Sequence, residues 1–259
     1  MKEKKVSVLM TVFNAEKYLK YSIQSILKQS YKNWELIIID DCSTDNSLKV
    51  IKSFKNRKIR IFPLKKHIGR TNSLNYGLKK AKGKYLAILD ADDISYKNRL
   101  LEQINYLKKY KNISLVGSWV EKINEKNEIF GEIKSTTNIE EIKQTMILKN
   151  LFVHSSVMFY RKILKKTGSY PSELIYMQDY GFILKVLKNH NINLIPKMLT
   201  KFRIIKSSMT HTVPQNQILD ERKLLLKFTW VNFKKNFFTK ILWAVEYIKI
   251  LIKSFYLKF

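Results

Sequence analysis

Three carboxylates, Asp90, Asp92 and Asp93, stand within four positions at the end of an apolar run in the stretch YLAILDADDI. Like charges so close repel and raise one another's pKa, so the group calls for a cation or hydrogen-bond donors to share it. The rest of the chain is strongly basic, with a formal charge of +28, so the acids are concentrated against the general trend. A second pair, Asp40 and Asp41, closes the run WELIII, and Thr11 closes VSVLM. Further on, Asp179 opens the stretch QDYGFILKV. Each of these acids has an alternative use as a helix cap, because a side-chain oxygen ahead of a helix satisfies its free N–H groups. For the segment TDNSLKVI, Ser43 or Asp45 is better placed to cap than Asp40 or Asp41.

The elements that must position these residues follow from periodicity. Residues 6–13, 35–39, 59–62 and 85–89 read as short apolar strands, and between them Tyr18, Ser22 and Ile26, then Leu48 and Ile51, recur at helical spacing. Alternating strands and helices predict a parallel sheet with helices on both faces, which gathers ligands at the carboxyl ends of its strands. Thr11, Asp40, Asp41 and the acidic cluster all fall at such ends. The first strand-to-helix turn, TVFNAEKYL, has no glycine, so neither a dinucleotide fingerprint nor a P-loop is present. Beyond residue 110, ISLVGSWVEKINEKNEIFGE reads as a hairpin turning near Asn124–Asn127, residues 139–148 as a helix, and HSSVMFYR as a strand.

Taken together, VSVLMTVFNAEKYLKYSIQSILKQSYKNWELIIIDDCSTDNS, GRTNSLNYGLKKAKGKYLAILDADD, HSSVMFYR and MQDYGFILKV resemble the inverting bacterial glycosyltransferases of family 2, from residue 5 to about residue 210. The resemblance implies an α/β fold of the GT-A type, a Rossmann-like mixed sheet flanked by helices. Its nucleotide-sugar half would span 1–110 and its acceptor half 111–215, with a C-terminal amphipathic helical tail over 216–259. It further implies that Asp41 accepts a hydrogen bond from a uracil imide, with Thr11 lining the same pocket. Asp92 and Asp93 match the metal-binding element and would hold Mn²⁺ or Mg²⁺, with Asp92 also facing the donor. Arg70 would reach a phosphate, Asn75 the ribose or sugar, and Asp179 would be the catalytic base.

The sequence departs from many relatives in places. Leu74 stands where they carry arginine directly before the asparagine, Gln178 where they carry glutamate, and Ile205 where some carry histidine after an arginine. A neutral Gln178 removes one repulsion from Asp179. His211 lies close enough in sequence to stand in for the histidine that Ile205 displaces. His154 could contact metal, phosphate or acceptor, or be a packed polar residue. Cys42, the single cysteine, has no histidine partner signalled nearby and excludes an internal disulfide.

No apolar run approaches the roughly 18–20 residues needed to span a bilayer, and no signal-peptide pattern opens the chain, so the expected compartment is cytoplasmic. Nucleic acid is not an expected partner, because no zinc-ligand spacing, RNP-type motif or heptad-linked basic region occurs. From 222 to 259 the chain carries nine Lys or Arg against one Glu. There Leu226, Trp230, Phe233, Phe237, Ile241, Ala244, Ile248, Leu251 and Phe255 predict one continuous apolar stripe on a basic helix. Such a helix suits the inner face of an anionic membrane, where lipid-linked glycan acceptors reside, or packs on the domain or a second subunit. The expected activity is transfer of a sugar from a UDP-sugar to a hydroxyl of a glycan acceptor. The alternative is a non-catalytic basic protein that binds anions or membranes.

Overall fold

The computed structural model describes residues 5–205, 214–233, 243–250 and 253. The first half forms β1 (Val6–Val12), α1 (Glu16–Leu27), β2 (Trp34–Asp40), α2 (Ser47–Ser53), β3 (Ile59–Pro63), α3 (Arg70–Lys80) and β4 (Tyr85–Ile88). β1 pairs in parallel with β2 and β4, and β2 with β3. Strands buried on both faces need nearly unbroken aliphatic sequence, which β1, β2 and β4 supply. α3 lies so close on β1 that a Cβ added at Gly77 would stand 2.2 Å from Leu9 Cδ1.

The second half forms β5 (Ile94–Ser95), α4 (Arg99–Lys109), β6 (Ile113–Ile123), β7 (Ile129–Ile133), α5 (Ile139–Thr145), β8 (Met158–Tyr160), α6 (Leu164–Thr167), α7 (Gln178–Asn189) and β9 (Asn191–Arg203). All nine strands join one mixed sheet, ordered β3-β2-β1-β4-β8-β6-β9-β5, with β7 on β6. The two expected halves therefore share a sheet, meeting where β8 runs antiparallel to β4. The hairpin turns where expected, with Asn124 N donating to Glu128 O at 3.0 Å and Asn127 in the left-handed region at φ 69°. HSSVMFYR begins as a 3₁₀ turn over His154–Ser156, so only its latter part is strand.

β9 is the element that sequence reasoning missed. It runs parallel to β6 over 13 residues, but the register shifts between Ser118 and Trp119, opposite Ile195 and Met198. Pro196 falls in that gap, where proline's missing N–H costs no ladder bond, and its presence breaks the sequence pattern of a central strand.

Two apolar cores lie on opposite faces of the sheet. One collects α1, α2 and α4 against Val6, Val8, Met10 and Val12. The other collects α3, α5 and α7 against Leu9, Ile37 and Ile39, and it also takes in Leu225 from α8 (Gln215–Phe233). A boundary at 216 thus separates in sequence what packs together in space. The single stripe is corrected as well. A continuous helix would hold residues 226 and 243 about 25 Å apart, yet Trp243 Nε1 donates to Leu226 O at 2.6 Å, and Arg222 pairs with Glu246 at 2.8 Å. Leu226 and Ile250 are buried in that contact, whereas Ile248 is exposed. Phe237, Ile241, Leu251 and Phe255 of the expected stripe lie outside the described residues, as does His211.

Candidate active site

The site is assembled at the carboxyl ends of β1, β2 and β4. Asp41 follows β2 and is buried; its Oδ1 accepts a hydrogen bond from Ile68 N at 2.8 Å. Its Oδ2 is also buried and has no hydrogen-bond partner, although His67 Nδ1 stands 3.2 Å away. Asp41 does not cap α2. The turns ahead of α1 and α2 are stitched by other residues, with Asp45 accepting from Ser47 N and Glu16 N, Ser43 from Asn14 N, and Ser47 from Ala15 N. Thr11, half-buried near the end of β1, is in register with Ile39. Two neighbours were not anticipated. Phe13 is 47% exposed, large for an aromatic beside a buried acid, and it packs on the His67 ring with centroids 4.2 Å apart. The available signal was an aromatic directly after a strand end, in TVFN.

At the end of β4, Arg70 Nη2 donates to Asp90 Oδ1 at 2.7 Å, and Asp90 N donates to Ser155 Oγ at 2.9 Å. Burial alone would raise the Asp90 pKa, but the guanidinium of Arg70 and the His154 ring, whose Nδ1 lies 3.8 Å from Asp90 Oδ1, together outweigh it and hold the carboxyl well below the usual range. Asp92 is pushed up to about 6, by burial first and then by the charge on Asp90. Asp93 is pushed well above the usual range by burial and by Asp92 and Asp90. Its Oδ1 accepts from Arg203 N at 2.7 Å, while its buried Oδ2 accepts no hydrogen bond among the described residues, with the Ser155 hydroxyl exerting a smaller, opposing pull on the pKa. The Arg203 side chain donates to Asp92 O at 2.8 Å and to Asn124 O at 2.6 Å, tying the acidic turn to the β6–β7 hairpin.

His154 is a packed residue. Its Nε2 lies 2.8 Å from the Tyr170 hydroxyl and its Nδ1 3.2 Å from Arg70 Nη2, so both ring nitrogens are engaged. Arginine can only donate, which leaves Nδ1 as acceptor and Nε2–H as donor. Asn75 is likewise occupied, because its amide donates to Tyr170 O at 2.9 Å and accepts from Tyr170 N at 2.9 Å. It clamps the loop that carries Tyr170 with both ends of its amide.

Asp179 sits in the first turn of α7, where no side chain caps the helix, and its Oδ2 accepts from Asn150 Nδ2 at 3.2 Å. The charges of Asp90, Asp179 and Asp92 all act on Arg70, so these residues form one electrostatic group. With the Gln178 amide oriented to satisfy its neighbours, its oxygen accepts from Arg70 Nε at 3.1 Å. Gln178, where relatives carry glutamate, thereby links α7 to the acidic cluster.

Asp92 and Asp93 fit a divalent cation in chemistry, since both are hard oxygen donors with undercompensated charge, and Asp93 Oδ2 is a buried acceptor without a partner. Among the described residues no group of three or more His, Cys, Asp or Glu side chains converges as a protein-only metal site. A cation here would share its shell with the substrate.

The strand-end acids, the antiparallel extension of the sheet and the facing acid on α7 define a GT-A glycosyltransferase. The family model for glycosyl transferase family 2 matches residues 7–168, and the chain belongs to that family. An uncharacterised glycosyltransferase of Methanocaldococcus jannaschii is 36% identical over 257 residues, covering 96% of this chain and 88% of the relative. The Escherichia coli protein named UDP-Glc:alpha-D-GlcNAc-diphosphoundecaprenol beta-1,3-glucosyltransferase WfgD is 32% identical, covering 96% and 94%. Among solved structures, Staphylococcus aureus TarS in complex with UDP-GlcNAc superposes with a TM-score of 0.74 at 20% identity, over 97% of this chain and 71% of that one. A Pyrobaculum calidifontis mannosyltransferase in complex with GDP-Man and Mn²⁺ superposes at 0.69 with 14% identity, over 95% of this chain and 70% of that one. These likenesses establish the fold.

Replacing Asn75 by Ala removes two hydrogen bonds to the Tyr170 backbone and is expected to lower stability by about 1–3 kcal/mol. UDP affinity, measured by titration, should stay within about twofold. A selective loss of UDP binding at unchanged stability would return Asn75 to the donor site.

Proposed function

We propose that this glycosyltransferase moves a sugar from a UDP-sugar to a hydroxyl of a bacterial surface glycan, of capsule, lipopolysaccharide or O-antigen type, with inversion at the anomeric carbon. The observation that carries this reading is the buried carboxylate of Asp41 at the end of β2, whose Oδ2 accepts no hydrogen bond among the described residues and has the half-exposed His67 ring 3.2 Å away. A buried carboxylate oxygen in that position gains from a well-aligned donor, and the imide N–H of uracil is such a donor. Thr11 lines the same strand edge, and Phe13 offers an aromatic face beside it. The printed names of WfgD, with UDP-Glc, and of the TarS complex, with UDP-GlcNAc, support a uridine donor.

Asp92 and Asp93 would hold Mn²⁺ or Mg²⁺, which when bound would supply positive charge against the diphosphate of the departing UDP. Arg70 adds a cation on the Asp179 side of the cluster, although its charge is already answered by Asp90. Asp179 is the general base. It takes the proton of the acceptor hydroxyl as that oxygen bonds to the anomeric carbon. On the opposite face the bond from carbon to the diphosphate oxygen breaks, and its electron pair leaves with UDP. Asn150 holds Asp179 Oδ2 and so orients the carboxylate for this task.

The C-terminal segment is proposed to rest on the inner, anionic surface of the cytoplasmic membrane. Leu224, Val231, Val245 and Ile248 are exposed alongside Lys227 and Lys249. Exposed apolar side chains interleaved with lysine suit an interfacial helix, each lysine near the surface adding roughly 1 kcal/mol. No helix among the described residues is long and apolar enough to cross the membrane. The lipid-linked acceptor in the printed name of WfgD supports this placement.

UDP with Mn²⁺ should raise the melting temperature more than UDP with a chelator, and Asp93→Asn should remove the difference. Equal shifts with and without metal would eliminate the cation role. Asp179→Asn should keep both shifts and slow UDP release from the donor by about 10²- to 10⁴-fold; near-normal turnover would exclude Asp179 as the base. In flotation assays the full chain should rise with phosphatidylglycerol-containing vesicles, stay down with neutral ones, and detach in high salt. Indifference to lipid charge would leave packing as the sole use of the segment.

A further inference from the structure

Glu221 lies on α8, outside every element that carries the donor site, and only 7% of it is exposed. Its carboxylate accepts hydrogen bonds from three successive backbone amides: Oε1 from Ile175 at 2.7 Å and Tyr176 at 3.2 Å, Oε2 from Tyr176 at 3.0 Å and Met177 at 2.8 Å. A carboxylate this buried is costly unless its oxygens are satisfied, and here backbone donors satisfy both. Met177 immediately precedes α7, and Asp179 is two residues further on. The partial positive charge at the start of α7 favours an acid at this place.

The same loop is held from its other side by α3. Asn75 grips both backbone atoms of Tyr170, and Thr71 Oγ1 donates to Leu174 O at 2.8 Å. Gln178, oriented as above, closes the loop on itself through Ile175 O at 2.8 Å and Tyr176 O at 3.1 Å. Among the anchors on the backbone of this loop, the one from α8 reaches furthest toward Asp179, at Met177 N. Neither α8 nor Glu221 falls within the part of the chain that the family model covers.

We propose that Glu221 is a positioning residue for sugar transfer, fixing the turn that carries Asp179, so that α8 is a working part of the site and not an appendage. The proposal rests on the reading of Asp179 as general base. Proton removal at the moment of bond formation tolerates little error, and a displacement of ~1 Å costs on the order of 10²-fold in rate. A glutamine at 221 keeps the size of the side chain but turns donor hydrogens toward amides that also donate. The loop must then shift.

The test uses the full-length chain with Mn²⁺ and UDP-glucose or UDP-N-acetylglucosamine, water taking the place of the acceptor, and UDP release as readout. Glu221→Gln should lower kcat by about 10- to 100-fold, with donor KM and the UDP-induced melting shift unchanged. Added to Asp179→Asn it should cause no further loss, because residues acting through one another are not additive. Wild-type turnover in Glu221→Gln, an undiminished further loss in the Asp179→Asn background, or a fall in UDP affinity would each overturn the proposal. Where Glu221→Gln fails to fold, Glu221→Asp keeps the carboxylate on a shorter arm. It should reproduce the drop in kcat with UDP binding intact, and full turnover there is again contrary. Asp179→Asn alone separates the two readings: if it is active the base assignment falls, and if it is inactive while Glu221→Gln is normal only the positioning role falls.

Discussion

The repulsion among Asp90, Asp92 and Asp93 is the constraint on which the rest of the site depends. Three arginines answer it from three elements: Arg70 from α3, Arg99 from α4 and Arg203 from β9. Arg99 is fully buried, its Nη2 bound to Ile88 O at 2.7 Å and to Val157 O at 3.2 Å, and burial pulls its pKa down to about 9 against the opposing pull of Asp93 and Asp90. Arg70 hydrogen-bonds Asp90 and acts on Asp92 only through its charge. Burial, and then the neighbouring carboxylates, keep the pKa values of Asp92 and Asp93 raised in spite of the arginines. A site that neutralised all three acids would be more stable and would have no affinity for a cation.

The same arginines make the cluster a structural hub. Arg203 joins the acidic turn to the tip of the β6–β7 hairpin through Asn124 O and Asn127 Oδ1. The left-handed conformation of Asn127 at φ 69° turns the chain there. Arg70 reaches Asp90 with one nitrogen and Gln178 with another, so it ties the end of β4 to the start of α7. Donor-side and acceptor-side elements are therefore registered against each other by side chains whose first duty is to balance buried charge.

Much of this was legible in the sequence because it is local. The short, mostly apolar runs of β1, β2 and β4, separated by segments of helical spacing, read as strands buried on both faces, and their ends locate Thr11, Asp41 and the acidic cluster. What was not legible depends on partners distant in the chain. Asn75 and Tyr170 are 95 residues apart, and nothing near Asn75 signals that its amide is spent on another backbone. His154 is settled as a packed residue only when Arg70, 84 positions away, arrives as an obligatory donor. β9 was hidden by Pro196, whose register gap is defined by β6 and not by its own sequence. Periodicity also overextended the tail: spacing every three or four residues records an apolar face, not what covers it. The contact between Trp230 and Trp243, with ring centroids 4.6 Å apart, shows part of that face covered by the chain itself.

The acids of this basic chain divide by what surrounds them. Glu35, near the start of the interior strand β2, meets Lys5, Arg60 and Ser7, and Glu221 meets three backbone amides. Each is compensated within the fold. Asp41 and Asp93 are just as buried, yet on each one oxygen accepts no hydrogen bond among the described residues, and both follow strands at the carboxyl edge of the sheet. Burial is common to all four, so it cannot distinguish the acids that hold the fold from those available to a ligand. The unfilled oxygen does. Such an oxygen costs stability in the free protein, and that cost is recovered when something with a donor or a positive charge binds. Asp179 belongs to neither group. Held by Asn150 through one oxygen, it is half-exposed, which is the accessibility that the proposed role as general base calls for.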